Sequence, residues 1–132
     1  HFHMTLGETN GSGISSYMQR VQNAYTKYYN TKYKMNGHLL QGPFKYVHIK
    51  DNRQLLYLST YIHKNPRELT AWKNRESEYP WSSYRDYIKN NRWGNLLRHE
   101  IISQQFPKPA DYKKFVVKSS AKELDIDHLF ED

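Results

Sequence analysis

From Ile14 onward the apolar and aromatic positions Tyr17, Met18, Val21, Ala24, Tyr25, Tyr28 and Tyr29 recur at spacings of three and four. This periodicity predicts an amphipathic helix reaching about Tyr33, with Arg20, Lys27 and Lys32 on its other face. The turn cluster Asn10-Gly11-Ser12-Gly13 precedes it and offers Ser12 as the N-cap. Further upstream the period is two: Phe2, Met4 and Leu6 alternate with His1, His3 and Thr5, which predicts a strand with one polar face. Asn36-Gly37 signals a turn, and the strand-forming stretch 38–50 is interrupted by Gln41-Gly42-Pro43, leaving a second predicted strand over 44–49. Asp51 and Gln54 have the spacing of a capping box that opens a helix through Leu55, Leu58, Tyr61 and Ile62, stopped by Pro66. Shorter helices are expected near Trp81-Ser82-Ser83, through Leu96, Leu97, Ile101 and Ile102, and from Ala110 to Val117.

This pattern predicts an α+β fold, rich in helix, with a small antiparallel sheet and C-terminal helices. With 132 residues the chain is expected to form one domain over 1–118, followed by a partly ordered tail, 119–132, that is acidic at its end. Two strands are too few for a stable sheet. The sheet is therefore expected to be completed by a preceding strand-bearing segment or by a second copy of the chain, making a homodimer.

Composition sharpens the functional picture. Without cysteine, disulfides, thiolate metal sites and cysteine nucleophiles are excluded. Mean hydropathy is −0.98, and no apolar run approaches the roughly 18 residues a membrane span needs, so no membrane association is expected. Nothing at the start reads as a secretory leader, which makes a cytoplasmic setting the default expectation. Lys and Arg number 20 against 13 acidic residues, giving a net charge of +7, and 12 tyrosines are interleaved with them. Basic and aromatic residues together suit a surface that neutralises phosphates and stacks unpaired bases, although most tyrosines of a small domain serve its core.

Three features could carry chemistry: His1-Phe2-His3, Tyr61, and Asn65 four residues after it. Two histidines one residue apart on a strand project the same way, roughly 6.5 to 7 Å apart at the backbone, and can converge on one divalent ion. Tyr61 and Asn65 stand at i and i+4 on one helix face, so an amide oxygen could join that ion beside the phenol. A phenol with a pKa near 10 is a poor nucleophile at pH 7, and a cation would favour its phenolate and polarise a phosphate under attack. Taken singly, each has a plainer reading: H-x-H as a solvated strand end, Tyr61 as core, and Asn65 before Pro66 as a helix terminator.

The segments HFHM at 1–4, GISSYMQRVQNAYTKYYNTKYK at 13–34, GHLLQGPFK at 37–45, LLYLSTYIHKNP at 55–66 and YPWSSYRDY at 79–87 occur in collinear order over about two thirds of the chain. In these segments the sequence resembles the single-tyrosine HUH transposases, in particular the REP-associated tyrosine transposase branch. The resemblance implies a ferredoxin-like palm, of which this chain would be a remnant lacking the N-terminal strand, helix and strand. It implies that His1, His3 and Asn65 bind Mg²⁺ or Mn²⁺ and that Tyr61 is the nucleophile. Cleavage of single-stranded or hairpin DNA through a 5′-phosphotyrosine intermediate would follow, with release of a 3′-hydroxyl.

Two positions depart from the family pattern: Pro43 stands where a basic residue is usual, and Arg67 follows Pro66 directly. Lys45, Lys64, Arg67 and Arg85 are the expected DNA-backbone contacts, with a solvated basic face as the alternative. Tyr57, His48 and His63 are expected to pack or face solvent, and Tyr79, Trp81 and Tyr84 to form core among the C-terminal helices. The rival function is a non-catalytic DNA-binding remnant that retains the basic, aromatic surface.

Overall fold

A computed structural model describes residues 2–9 and 11–121. The chain forms two compact units, one up to Tyr46 and one from Val47 onward. The elements are helix α1 (Gly13–Tyr33), helix α2 (Asn52–Lys64), helix α3 (Tyr84–Ile88), helix α4 (Glu100–Ser103) and helix α5 (Pro109–Lys118), with 3₁₀ turns at Asn65–Glu68, Thr70–Trp72, Glu76–Glu78 and Gly94–Leu96.

The expected α+β architecture is not what forms. Among the described residues there is no β-strand, and neither the 2–9 segment nor the 44–49 segment makes a backbone-to-backbone hydrogen bond. Alternation and β-propensity describe a surface suited to a pleat, whereas a strand exists only through a ladder with a neighbour. The fold is helical, and the argument that exposed sheet edges demand a second copy falls with the strands. The tail residues 122–132 and His1 lie outside the described residues.

In the first unit α1 runs to Tyr33, as its periodicity predicts. Its start is capped differently. Ser12 holds the cap position in a left-handed conformation (φ 67°) without a side-chain capping hydrogen bond, while Glu8 Oε1 accepts from the Ile14 amide at 3.2 Å. A carboxylate at a helix N-terminus also complements the helix dipole. At the other end Lys34 turns left-handed and its N–H, like that of Met35, donates to Asn30 O; Asn30 Nδ2 donates to Gly37 O at 3.0 Å. Tyr25, Tyr29 and Tyr33 stack in sequence along the helix, with ring centroids 6.3 and 4.5 Å apart.

In the second unit Asp51 caps α2, accepting from Gln54 N at 2.8 Å, while Gln54 Oε1 reaches back to Lys50 N at 2.6 Å. The helix ends at Lys64, one residue short of Asn65-Pro66, and the chain continues as a 3₁₀ turn because proline has no amide to extend the ladder. Tyr84, Ile102, Tyr112 and Val116 form the buried core, flanked by Leu55, Leu56, Tyr87, Ile88 and Phe106. Asn52 and Gln105 exchange reciprocal amide hydrogen bonds at 2.8 and 2.9 Å, tying the start of α2 to the exit of α4. Among the described residues no helix is long and apolar enough to cross a membrane.

Candidate functional site

Helix α2 is polar where it is most buried. Ser59, Thr60, His63 and Lys64 lie on its inner face, and each is satisfied there. Ser59 Oγ donates to Leu56 O at 2.8 Å and so accepts from the Tyr112 hydroxyl at 3.3 Å. Tyr112 in turn accepts from His63 Nδ1 at 2.7 Å, leaving Nε2 to accept from Ser83 Oγ at 2.9 Å. The chain of donors assigns His63 the Nδ1–H tautomer. Stacked on Tyr84 at 5.1 Å and met edge-on by Tyr87 and Tyr112, this imidazole is only 2% exposed. Burial pushes its pKa down to about 3, against a smaller opposing pull from Asp86, so it is neutral at pH 7. The same burial raises the phenols of Tyr84 and Tyr87 to about 12 and that of Tyr112 well above its usual range.

Lys64 belongs to this inner face too. It is 8% exposed, and its ammonium donates to Val117 O at 3.3 Å and to Ser119 O, closing the C-terminal end of α5. An expected phosphate contact is thus turned towards chain carbonyls.

Tyr61 lies about 100° around α2 from Thr60 and about 160° from His63, and Asn65 follows Tyr61 by one turn. Both are half-buried, and Asn65 is the C-cap whose N–H donates to Ile62 O. Tyr57, one turn earlier, donates its hydroxyl to Ala121 O at 3.0 Å; burial, and secondarily the nearby Tyr61, raise its pKa. The phenol of Tyr57 is therefore engaged in structure.

Of the remaining expected site residues, His3 is half-buried and Lys45 exposed, both in the first unit. Arg67 is half-buried, with Nε 3.9 Å from Glu76 Oε1, and Arg85 is exposed in the first turn of α3. Among the described residues no three His, Asp or Glu side chains are grouped to hold a metal ion. The strand geometry that would aim His1 and His3 at one ion is not formed by the 2–9 segment.

The expected aromatic cluster divides. Tyr84 is core and Tyr79 packs edge-on against Trp72 at 5.4 Å, but Trp81 is 82% exposed. What sequence reasoning missed is the pair beneath it: Asp86, wholly buried, bound by Arg92 through Nε and Nη2, each at 2.8 Å. Burial alone would raise this carboxyl, and the hydrogen bonds and charge of Arg92 outweigh it, holding the pKa below the usual carboxylate range. The only sequence signal is that Asp86 is the one acid between Trp81 and Arg98. Residues 47–121 carry 14 Lys and Arg against 7 Asp and Glu.

Compared with known protein families, characterised proteins and solved structures, the chain matches none.

Proposed function

We propose that the chain is a single-tyrosine HUH-type transposase segment that binds single-stranded or hairpin DNA and cleaves it by attack of Tyr61 on a backbone phosphorus. In that step the phenolic oxygen bonds to phosphorus, the bond from phosphorus to the 3′-oxygen breaks, and a 5′-phosphotyrosine and a 3′-hydroxyl result. The supporting observation is the placement of residues on α2: Ser59, Thr60, His63 and Lys64 are buried, while Tyr61 and Asn65, one turn apart and half-buried, stand at the helix end that Asn65-Pro66 breaks. The neighbouring phenol, Tyr57, is committed to Ala121 O, and the resemblance in the segment ending at Asn65-Pro66 assigns the attack to Tyr61. The excess of cations over residues 47–121 fits a polyanionic substrate, with Arg67 and Arg85 as backbone contacts and Lys45 as a further one from the first unit.

Mg²⁺ or Mn²⁺ belongs to this reading through His1, His3 and Asn65. His1 lies outside the described residues and the described ones form no ligand group, so no step is routed through the ion. A homodimer and a cytoplasmic setting also belong to it; light scattering checks the first.

The test is a denaturation-resistant protein–DNA adduct on a labelled hairpin. Tyr61→Phe keeps the ring and removes the nucleophile, so the adduct should vanish while DNA binding stays within a factor of about two; Tyr57→Phe should leave it. An adduct persisting in Tyr61→Phe refutes the assignment. A second reading, DNA binding without cleavage, is favoured by the exposed Trp81 and Arg85, which need no metal. It predicts binding with no adduct.

A further inference from the structure

Trp81 is held out in solvent by a loop that is itself tied down. Arg92 Nη1 donates to Pro80 O at 3.3 Å and Nη2 to Ser82 O at 3.1 Å, so one guanidinium grips the carbonyls on both sides of Trp81. That guanidinium is anchored in turn by the buried carboxylate of Asp86, which also accepts from the Arg92 amide at 2.9 Å. Ser82 Oγ accepts from Tyr84 N at 3.2 Å, and Ser83 Oγ reaches the core through His63. The backbone of the loop is fixed from below, yet its indole is 82% exposed. Indoles are among the more buried side chains on average, so an exposed one on a loop pinned by a buried carboxylate is unusual.

The charges indicate the occupant. Between residues 81 and 98 the only acid is Asp86, buried and neutralised by Arg92, whereas Arg85, Lys89 and Arg98 are exposed and make no ion pair among the described residues. A flat, exposed π-face in a cationic stretch complements a base on its phosphate backbone. We infer that Trp81 is a stacking platform for an unpaired base of single-stranded DNA, pre-positioned by the Asp86–Arg92 clamp. The inference rests on the nucleic-acid part of the proposed function and is independent of cleavage. Pre-positioning matters because a loop already ordered loses less freedom on binding.

The experiment measures fluorescence anisotropy of a labelled oligothymidylate and of the same strand with abasic sites, titrated with the full chain. The unmodified protein should prefer the base-bearing strand. Trp81→Ala should weaken that binding about 5- to 150-fold, leave abasic binding unchanged and melt like the unmodified chain, while Trp81→Phe should retain most of the affinity. Equal affinity of the unmodified chain for the two strands, or Trp81→Ala binding oligothymidylate as tightly as the unmodified chain, overturns the inference and leaves the DNA reading standing. Failure of the unmodified chain to bind either strand also overturns the inference, and failure on a labelled hairpin as well overturns the DNA reading with it.

Discussion

The neutral His63 at the centre of the core makes the second unit acid-labile, and the size of the effect follows from its surroundings. The imidazole titrates near 6.5 in an unfolded chain and at about 3 in the fold, because burial among Tyr84, Tyr87 and Tyr112 outweighs the distant pull of Asp86. Between these values the unfolded chain binds the extra proton, so stability from this group is complete above about pH 7 and falls as the pH drops towards 3. At pH 4.5 linkage gives a loss of roughly 3 kcal/mol relative to pH 7, a large share of a small domain's stability. Urea unfolding at pH 7.0 and 4.5 measures the loss, and His63→Gln supplies the control, since a glutamine can hydrogen-bond at the site but cannot titrate. The gap in unfolding free energy between the unmodified chain and His63→Gln should narrow by roughly 3 kcal/mol on going to pH 4.5. A gap that stays the same at both pH values would refute the argument that His63 is neutral because it is buried.

Lys64→Met keeps the aliphatic stem but strips the ammonium from Val117 O and Ser119 O; loss of these part-buried hydrogen bonds should cost about 1 to 2 kcal/mol, read from the urea midpoint, and DNA affinity should be little changed. A loss of affinity without loss of stability would instead make Lys64 a phosphate contact. Binding of single-stranded DNA should weaken linearly in log–log form with salt, by a slope of about −0.7 for each phosphate neutralised, and Arg85→Ala should remove about one such contact. An unchanged slope would take Arg85 off the interface.

Helices α1 and α2 were legible because their signals are local, whereas the helix expected through Leu96, Leu97, Ile101 and Ile102 divides into a 3₁₀ turn at Gly94–Leu96 and α4. The three-and-four spacing of Tyr17 to Tyr29 requires no partner to be read, and Asp51 with Gln54 announces the start of α2 within one turn. The strands were not, since the alternation in 2–6 says which side chains share a face but not whether any backbone lies alongside to pair with. Lys64 and Arg67 look alike as basic residues at a helix end, and only the return of α5 onto α2 separates the one gripping carbonyls from the one near Glu76. Trp81 read as core because it sits between Tyr79 and Tyr84; the clamp that keeps it outside joins Asp86 to Arg92 across a non-periodic six-residue span. At the candidate site, sequence paired Tyr61 with Asn65 through helical spacing alone; in the structure Tyr61 lies in α2 and Asn65 is its C-cap.

The most direct test of the central proposal is to locate the covalent bond. Trypsin cleaving after Arg53 and Lys64 releases peptide 54–64, which contains both Tyr57 and Tyr61. After incubation of the full chain with hairpin DNA and Mg²⁺ or Mn²⁺, followed by nuclease digestion, fragmentation mass spectrometry of that peptide should find a nucleotide phosphate on Tyr61 and none on Tyr57. A phosphate on Tyr57, or DNA retained by the chain with peptide 54–64 entirely unmodified, would contradict the account.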